Sequence, residues 1–277
     1  MICHPAVKIN LGLNVISKRD DGFHNIETLF VPYPDISDTL EIVTGEDWSR
    51  TLPALQERYG ALAQAISPDG KLMITIARRE GVDWDPLKDL TAKAYFLLAG
   101  DYNLPPVKIF LEKTSPVGAG LGGGSSDAAY ALRMISSLAG LRLDDDTLAA
   151  YAARLGSDCA FFVYNRPMFG SGRGEILEPY PLKLDGYSIK VFIPEGECVS
   201  TAEAYRGITP HAPEVSIKKA LSLSPEDWKD VLVNDFEPSV FSGHPRISAL
   251  KQQIYAQGAV YASMSGSGSA LFGIFRK

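Results

Sequence analysis

Between Pro116 and Ala129 the chain reads Pro-Val-Gly-Ala-Gly-Leu-Gly-Gly-Gly-Ser-Ser-Asp-Ala-Ala, with five glycines in the seven positions from Gly118 to Gly124. A run this poor in side chains is unfavourable inside a helix or a strand, so it reads as a loop. Its flanks are equally informative. Upstream, Val107-Lys-Ile-Phe-Leu111 has the composition of a strand. Downstream, Ala128, Ala129, Leu132, Ile135 and Leu138 recur at helical spacing, and Gly140 stands where a helix stops. A glycine loop between a strand and a helix amino terminus lets backbone N–H groups approach a phosphate. The helix end adds partial positive charge and unpaired donors. The sequence therefore points to a nucleotide phosphate site in mid-chain.

Two familiar phosphate motifs fit poorly. Gly118-x-Gly120-x-x-Gly123 matches the dinucleotide fingerprint, which also requires an acidic residue about 20 positions on, at the end of a second strand. The candidates Asp144, Asp145 and Asp146 lie between two helical patterns and read better as the cap of a helix over 148–155. No Gly-Lys-Ser/Thr occurs, so the Walker pattern is absent. A plain flexible turn rarely needs five glycines against a helix start.

A lysine and an aspartate stand out as chemical candidates. Alternation over Ala6–Ile16 puts Lys8 and Asn10 on one face of a strand, with Val7, Ile9 and Leu11 on the other. Asp158, in Leu155-Gly-Ser-Asp158-Cys-Ala-Phe-Phe162, follows a helix-ending glycine and precedes what reads as a buried apolar strand. Phosphoryl transfer needs a phosphate cradle, a cation to offset developing charge and a carboxylate to orient the acceptor hydroxyl. Taken singly, each residue also has an ordinary reading. Asp158 is then a cap or turn aspartate, Lys8 an exposed strand-face lysine, and His24, after Phe23, a turn histidine.

The remaining pattern mixes short strands and helices in an α+β arrangement of two lobes, divided near residue 164 into 1–164 and 165–277. The spacing over 51–66 predicts a single amphipathic helix, with Leu52, Leu55, Tyr59, Leu62 and Ile66 on one stripe. Residues 225–232, 235–241 and 245–257 also read as helical. A second small-residue loop, Ser265-Gly-Ser-Gly-Ser269, lies near the end. The net charge of −6 argues against nonspecific nucleic-acid or anionic-membrane binding. Three scattered cysteines, Cys3, Cys159 and Cys198, suggest neither a disulfide framework nor a zinc site. The start lacks a signal pattern and no apolar run reaches 18 residues, so a cytoplasmic protein is expected.

Taken together, the Lys-Ile-Asn strand, the glycine loop and the late Ser-Gly-Ser-Gly-Ser loop resemble the three motifs of the GHMP kinase superfamily. The blocks Ala6-x-Lys8-Ile-Asn10, Asp21-Gly-Phe-His24, Gly120–Ala129, Leu155-Gly-Ser-Asp158, Gly172-Arg-Gly-Glu175 and Asn234-Asp-Phe-Glu237 resemble one branch, the 4-diphosphocytidyl-2-C-methyl-D-erythritol kinases, in order and nearly end to end. That resemblance implies a two-lobed fold: an N-terminal sheet-and-helix lobe with the phosphate loop, and a C-terminal α+β lobe. It implies ATP with Mg2+, a cytidine diphosphate-linked methylerythritol acceptor, and a monomer or weak homodimer.

By motif position the resemblance makes Lys8 and Asp158 catalytic. It assigns ATP binding to Lys113, Pro116, Gly118, Gly120, Leu121, Gly122, Gly123, Gly124, Ser125 and Ser126. It assigns the acceptor to Asn10, Phe23, His24, Thr201 and Tyr205. Phe23 and Tyr205 would stack on the cytosine, and His24 would read its polar edge. The chain departs from the branch at Ser157 and Ala160, where Ala and Pro are usual, and at Asp89-Leu90, where Asn-Leu is usual beside adenine. A homoserine- or mevalonate-type kinase and a non-catalytic nucleotide-binding relative are the alternatives. The pyrimidine clamp separates the first, and the presence of Lys8 and Asp158 the second.

Overall fold

The computed structural model describes residues 1–277. In chain order the strands are β1 Ile2–Cys3, β2 Ala6–Lys18, β3 His24–Ser37, β4 Thr39–Thr44, β5 Ala63–Ile66, β6 Leu72–Arg78, β7 Val107–Lys113, β8 Met168–Ser171, β9 Ile176–Pro179, β10 Tyr187–Phe192, β11 Tyr261–Met264 and β12 Leu271–Arg276. The helices are α1 Leu52–Tyr59, α2 Leu90–Ala99, α3 Gly123–Leu138, α4 Asp145–Leu155, α5 Cys159–Tyr164, α6 Thr201–Arg206, α7 Ile217–Ala220, α8 Glu237–Gly243 and α9 Pro245–Ala256. They form two compact units that are not consecutive segments. One comprises 1–7, 33–117 and 122–165; the other comprises 8–32, 118–121 and 166–277.

The first unit holds a five-stranded sheet in the order β1-β4-β7-β6-β5. Only β6 and β7 pair in parallel, from Leu72↔Val107 to Arg78↔Lys113, and α2 supplies the crossover that a parallel pair requires. Strand alternation sorts the sheet into two faces. Leu40, Ile42, Ile74, Ile76, Ile109 and Leu111 share one face and are fully buried. On the other face Val43, Ala77 and Phe110 pack with Leu55 of α1.

That second face corrects the expectation of one helix over 51–66. Helix α1 stops at Tyr59, where Gly60 turns left-handed (φ +68°) and its N–H closes on the Gln56 carbonyl at 2.9 Å. Residues 63–66 then pair antiparallel with β6, from Ala63↔Ile76 to Ile66↔Met73. Helical spacing lost to a free sheet edge. Glu41 organises the helix start, accepting from the backbone N–H groups of Arg50 (2.9 Å) and Thr51 (3.0 Å) and from the Thr51 hydroxyl (2.7 Å). Glu112 of β7 receives Arg58 and the Tyr59 hydroxyl at the other end.

Two further expectations give way. The apolar run after Asp158 is the helix α5, packed against α3 and α4, and not a strand. A six-residue apolar run carries too little periodicity to separate the two. Within 225–232 only Pro225–Asp227 makes a 3-10 turn, and Trp228 is buried with its indole N–H on the Leu223 carbonyl (3.1 Å). The helices read over 235–241 and 245–257 form as α8 and α9.

The second unit holds a four-stranded sheet, β2-β3-β8-β9, and a three-stranded sheet, β10-β12-β11. Leu13, Val15 and Ile26 from the first pack with Met264 and Leu271 from the second and with Phe236, Val240, Ile247 and Ile254 from α8, α9 and the turn before them. No helix is long and apolar enough to cross a membrane.

The small cluster around Leu55 generates a stability test. Leu55→Ala removes a buried side chain and is expected to cost about 2 kcal/mol or more, measured by urea denaturation. Ile66→Thr, at an exposed position on the edge strand, should change stability by less than about 0.5 kcal/mol.

Candidate active site

In the second unit, Lys8 and Asn10 lie on one face of β2 and are both 2% exposed, so the exposed strand-face reading of Lys8 fails. A lysine this buried needs its donors engaged. Its ammonium donates to the Gly120 carbonyl at 2.8 Å and to Asn10 Oδ1, and sits 5.6 Å from the Phe30 ring centre. Asn10 is fixed in turn. Its Nδ2 donates to Thr28 Oγ1 (3.0 Å), the Thr28 hydroxyl donates to the Gly12 carbonyl (2.6 Å), and the Asn10 N–H donates to Ser265 Oγ (3.2 Å).

Loop 118–121 is attached to this network. The Lys8 N–H bonds the Leu121 carbonyl (2.9 Å), and the Ser265 hydroxyl donates to the Gly120 carbonyl (3.1 Å). Gly120 is left-handed (φ +76°), and a Cβ there would overlap the Ser265 carbonyl oxygen. Asn234 holds the Ser265–Ser269 loop by donating to the Met264 (2.8 Å) and Gly266 (2.9 Å) carbonyls. The Asn-Asp-Phe-Glu block is thus an anchor. Asp235 accepts from the Val15 N–H (2.7 Å), and Glu237 accepts from the Met264 N–H (2.8 Å).

In the first unit the glycine run enters α3. Gly122 is left-handed (φ +73°), and no side chain caps the helix. The helical ladder begins with the Ser126 N–H on the Gly122 carbonyl (2.9 Å), so the amides of Gly123, Gly124 and Ser125 precede it. Ser126 is structural in its side chain, which donates to the Ala6 carbonyl (2.7 Å). Pro116 is partly buried beside exposed Val117. Asp158 stands immediately before α5, partly exposed, and its carboxylate does not cap that helix.

Lys113, assigned to ATP binding by motif position, ends β7 in a charged pocket. It is buried, with Nζ 2.5 Å from Asp38 and 2.6 Å from Asp127. Burial pushes the Asp127 carboxyl well above the usual carboxylate range. Burial acts to lower the Lys113 value, but the Asp127 and Asp38 charges outweigh it and hold the ammonium above its ordinary value. Asp89 caps α2, accepting from the Thr91 N–H (2.9 Å), while its other oxygen takes the Trp84 indole N–H (3.2 Å).

The acceptor residues expected from the sequence share the second unit. Phe23 and His24 follow the tight turn that joins β2 to β3, with the Arg19 N–H on the Phe23 carbonyl at 2.8 Å. The His24 ring stacks on Tyr205 of α6, centroids 4.7 Å apart and planes at 22°. Burial, then the Lys18 charge, lowers the His24 pKa, which leaves a neutral ring with one donor and one acceptor. Phe23 is half exposed with the Arg173 guanidinium 4.9 Å from its ring centre. The Thr201 hydroxyl, at the start of α6, lies 3.3 Å from Ser267 Oγ.

Helix α6 has a charged support. Both ring nitrogens of His244 face carboxylates, Nδ1 to Glu197 at 2.7 Å and Nε2 to Glu203 at 3.2 Å. Two acceptors on one ring favour the imidazolium, and the bonds to Glu197 and then Glu203 raise its pKa.

Thr28, Asp38 and Asp127 have no individual role in the sequence reading, Ser265 enters it only as part of the late loop, and His244 does not enter it. The signal for the first three was a polar side chain in a stretch otherwise destined for burial. No group of three or more His, Cys, Asp or Glu side chains is gathered to hold a metal ion.

The GHMP kinases N terminal domain family matches residues 89–166, and the GHMP kinases C terminal family matches 215–277. A 4-diphosphocytidyl-2-C-methyl-D-erythritol kinase of Bacteroides thetaiotaomicron is 46% identical over 275 residues, covering 99% of this chain and 92% of its own. The enzyme of that description from Parabacteroides distasonis is 45% identical, covering 100% and 92%. A crystal structure of 4-(cytidine 5'-diphospho)-2C-methyl-D-erythritol kinase superposes with a TM-score of 0.74 at 30% identity, over 99% of this chain and 89% of that one. Homoserine kinase from Cytophaga hutchinsonii gives 0.66 at 15% identity over 98% and 85%, a likeness of fold.

Two measurements check this geometry. Gly120→Ala should displace the carbonyl that Lys8 and Ser265 share, costing at least about 1 kcal/mol of stability for the left-handed backbone alone and most of the activity. For His244 the folded pKa is raised. Its contribution is fully present below the unfolded value of about 6.5 and is lost as pH rises through the folded value. The melting temperature should therefore fall across that window in the native chain, with a flatter profile in His244→Gln.

Proposed function

This chain belongs to the 4-diphosphocytidyl-2-C-methyl-D-erythritol kinase family within the GHMP kinases, and we infer from that membership how its residues divide the reaction. It is an ATP-dependent small-molecule kinase. It phosphorylates the 2-hydroxyl of 4-diphosphocytidyl-2-C-methyl-D-erythritol, in the non-mevalonate route to isoprenoid precursors. The observation that carries this reading is 46% identity sustained over 99% of the chain, in a sequence that has both Lys8 and Asp158.

Transfer of a phosphoryl group asks mainly for positioning and charge stabilisation. Asp158 is assigned to orient or deprotonate the acceptor hydroxyl. Lys8 is assigned to offset charge on the transferring group; an ammonium already held by Asn10 and Gly120 needs little reorganisation to do so. The amides of Gly123, Gly124 and Ser125, ahead of the α3 ladder, suit a phosphate chain, with the helix end adding positive potential. Mg2+, which neutralises phosphate charge, is expected to enter on the nucleotide. Tyr205 and Phe23 are assigned to the faces of the cytosine, which requires the His24 ring to leave the Tyr205 face it covers, and neutral His24 to the polar edge, where one donor and one acceptor suit a pyrimidine. A cytoplasmic enzyme working as a monomer or weak homodimer completes the reading.

The experiment is an acceptor panel with ATP, scored by ADP release. The cytidyl methylerythritol should be turned over, with homoserine and mevalonate inert. Turnover of either of those in preference would overturn the assignment, and equal use of the uridine form would remove His24 as a reader of the base. Asp158→Asn should lower kcat by about 10²–10⁴-fold while ATP binding by calorimetry is retained. Tyr205→Ala should weaken acceptor binding by about 5- to 150-fold, the loss of one stacking partner, with the KM for ATP unchanged.

A further inference from the structure

The most heavily charged buried cluster in the molecule is unused by the chemistry above. Asp38 follows β3, Lys113 ends β7, and Asp127 lies in the second turn of α3; none is more than 6% exposed. Lys113 Nζ reaches Asp38 Oδ2 at 2.5 Å, Asp127 Oδ2 at 2.6 Å and Ser115 Oγ at 3.3 Å. Asp38 also grips the backbone that leaves β7. Its Oδ1 accepts from the N–H groups of Thr114 and Ser115, both at 2.7 Å, and its Oδ2 from the Ser115 hydroxyl at 2.6 Å.

Each contact falls on one flank or the other of the glycine run. Thr114 and Ser115 are the last residues before it, and Asp127 is in the helix after it. The first helical residue touches the cluster directly. A Cβ on Gly123 would overlap Ser115 Oγ and come within 3.4 Å of Lys113 Nζ. The ammonium thus closes the base of the loop like a clasp, tying its incoming and outgoing ends to one carboxylate each. Asp127 Oδ1 is buried without a hydrogen-bond partner, so Lys113 is the only group that compensates this side chain.

We propose that Asp38, Lys113 and Asp127 are positioning residues for the nucleotide, fixing the two ends of the phosphate loop, and that Lys113 touches no part of the nucleotide itself. The proposal rests on the kinase reading above and reassigns one residue of it. A charge enclosed by two carboxylates and a hydroxyl has its donors committed. What it contributes to ATP is the spacing between Ser115 and Gly123, on which the direction of the loop amides depends.

A direct ligand and a clasp respond oppositely to removal of the partner charge. Lys113→Met alone leaves two buried carboxylates facing each other. It should weaken ATP binding by about ten-fold or more, with adenosine affinity and the preference for ATP over GTP unchanged. The double variant Lys113→Met/Asp127→Leu replaces the pair with apolar side chains and leaves Asp38 its three other hydrogen bonds. Such replacements of buried ion pairs are commonly tolerated, so ATP affinity should return to within about three-fold of wild type. Calorimetry with ATP, GTP, ADP and adenosine reads all three proteins without turnover.

If the single variant does not fold, the double variant alone decides the question. ATP binding in the double variant as weak as in the single one, or lost where the single is unavailable, overturns the proposal. So does loss of adenosine affinity or of ATP preference in either. A wild-type protein that binds no ATP would instead overturn the kinase reading.

Discussion

One carbonyl oxygen, that of Gly120, ties together the second unit's share of the chemistry. It accepts from the Lys8 ammonium and from the Ser265 hydroxyl at once. Three separate stretches of chain, the first long strand, the glycine loop and the late serine-glycine loop, therefore share one acceptor. That arrangement explains why the residue must be glycine: a side chain would collide with the Ser265 carbonyl oxygen. It also explains why a lysine can be buried in a strand of valine, isoleucine and leucine. An ammonium away from water is costly unless its donors are met, and here a carbonyl and an amide oxygen take two of them.

The order around Lys8 extends outward by hydrogen bonds, each partner fixed by the next. Asn10 is aimed by Thr28 and Ser265, and Thr28 by the Gly12 carbonyl. Asn234 and Glu237 then hold the strand and loop that carry Ser265. Asn234 is thus linked to the lysine through the loop of Ser265 and the Gly120 carbonyl. This is the physical content of the Asn-Asp-Phe-Glu block, which looks like a signature in one dimension and works as scaffolding in three.

Much of this was legible in the residues themselves. The strand, glycine loop and helix in mid-chain could be read because glycine density and helical spacing are local properties. The Asp144 cap follows the same logic. What escaped was decided by partners distant in the chain. Ala63–Ile66 has the stripe of a helix but joins an open sheet edge; Cys159–Tyr164 has the composition of a strand but packs between helices. Lys113 could be located by motif, yet its engagement depends on Asp38, 75 residues away in sequence. His244 was invisible for the same reason, since Glu197 and Glu203 come to it from another part of the chain.

The chain's path between the units has a consequence for how the molecule comes into being. Residues 8–32 are made early but belong with residues 166–277. The strand β3 meets β8 through Thr28↔Gly170, and Leu13 bridges to Asn234. Until those late segments emerge, the nascent polypeptide carries two long apolar strands whose hydrogen-bonding edge has no neighbour, the condition that invites association with other chains. Most of the contacts that close this unit span large sequence distances, which favours slow assembly. A break at the apparent midpoint, after Asn165, would not release two self-sufficient halves. It would separate strands that complete one another, leaving the amino-terminal fragment with its sheet open along β3.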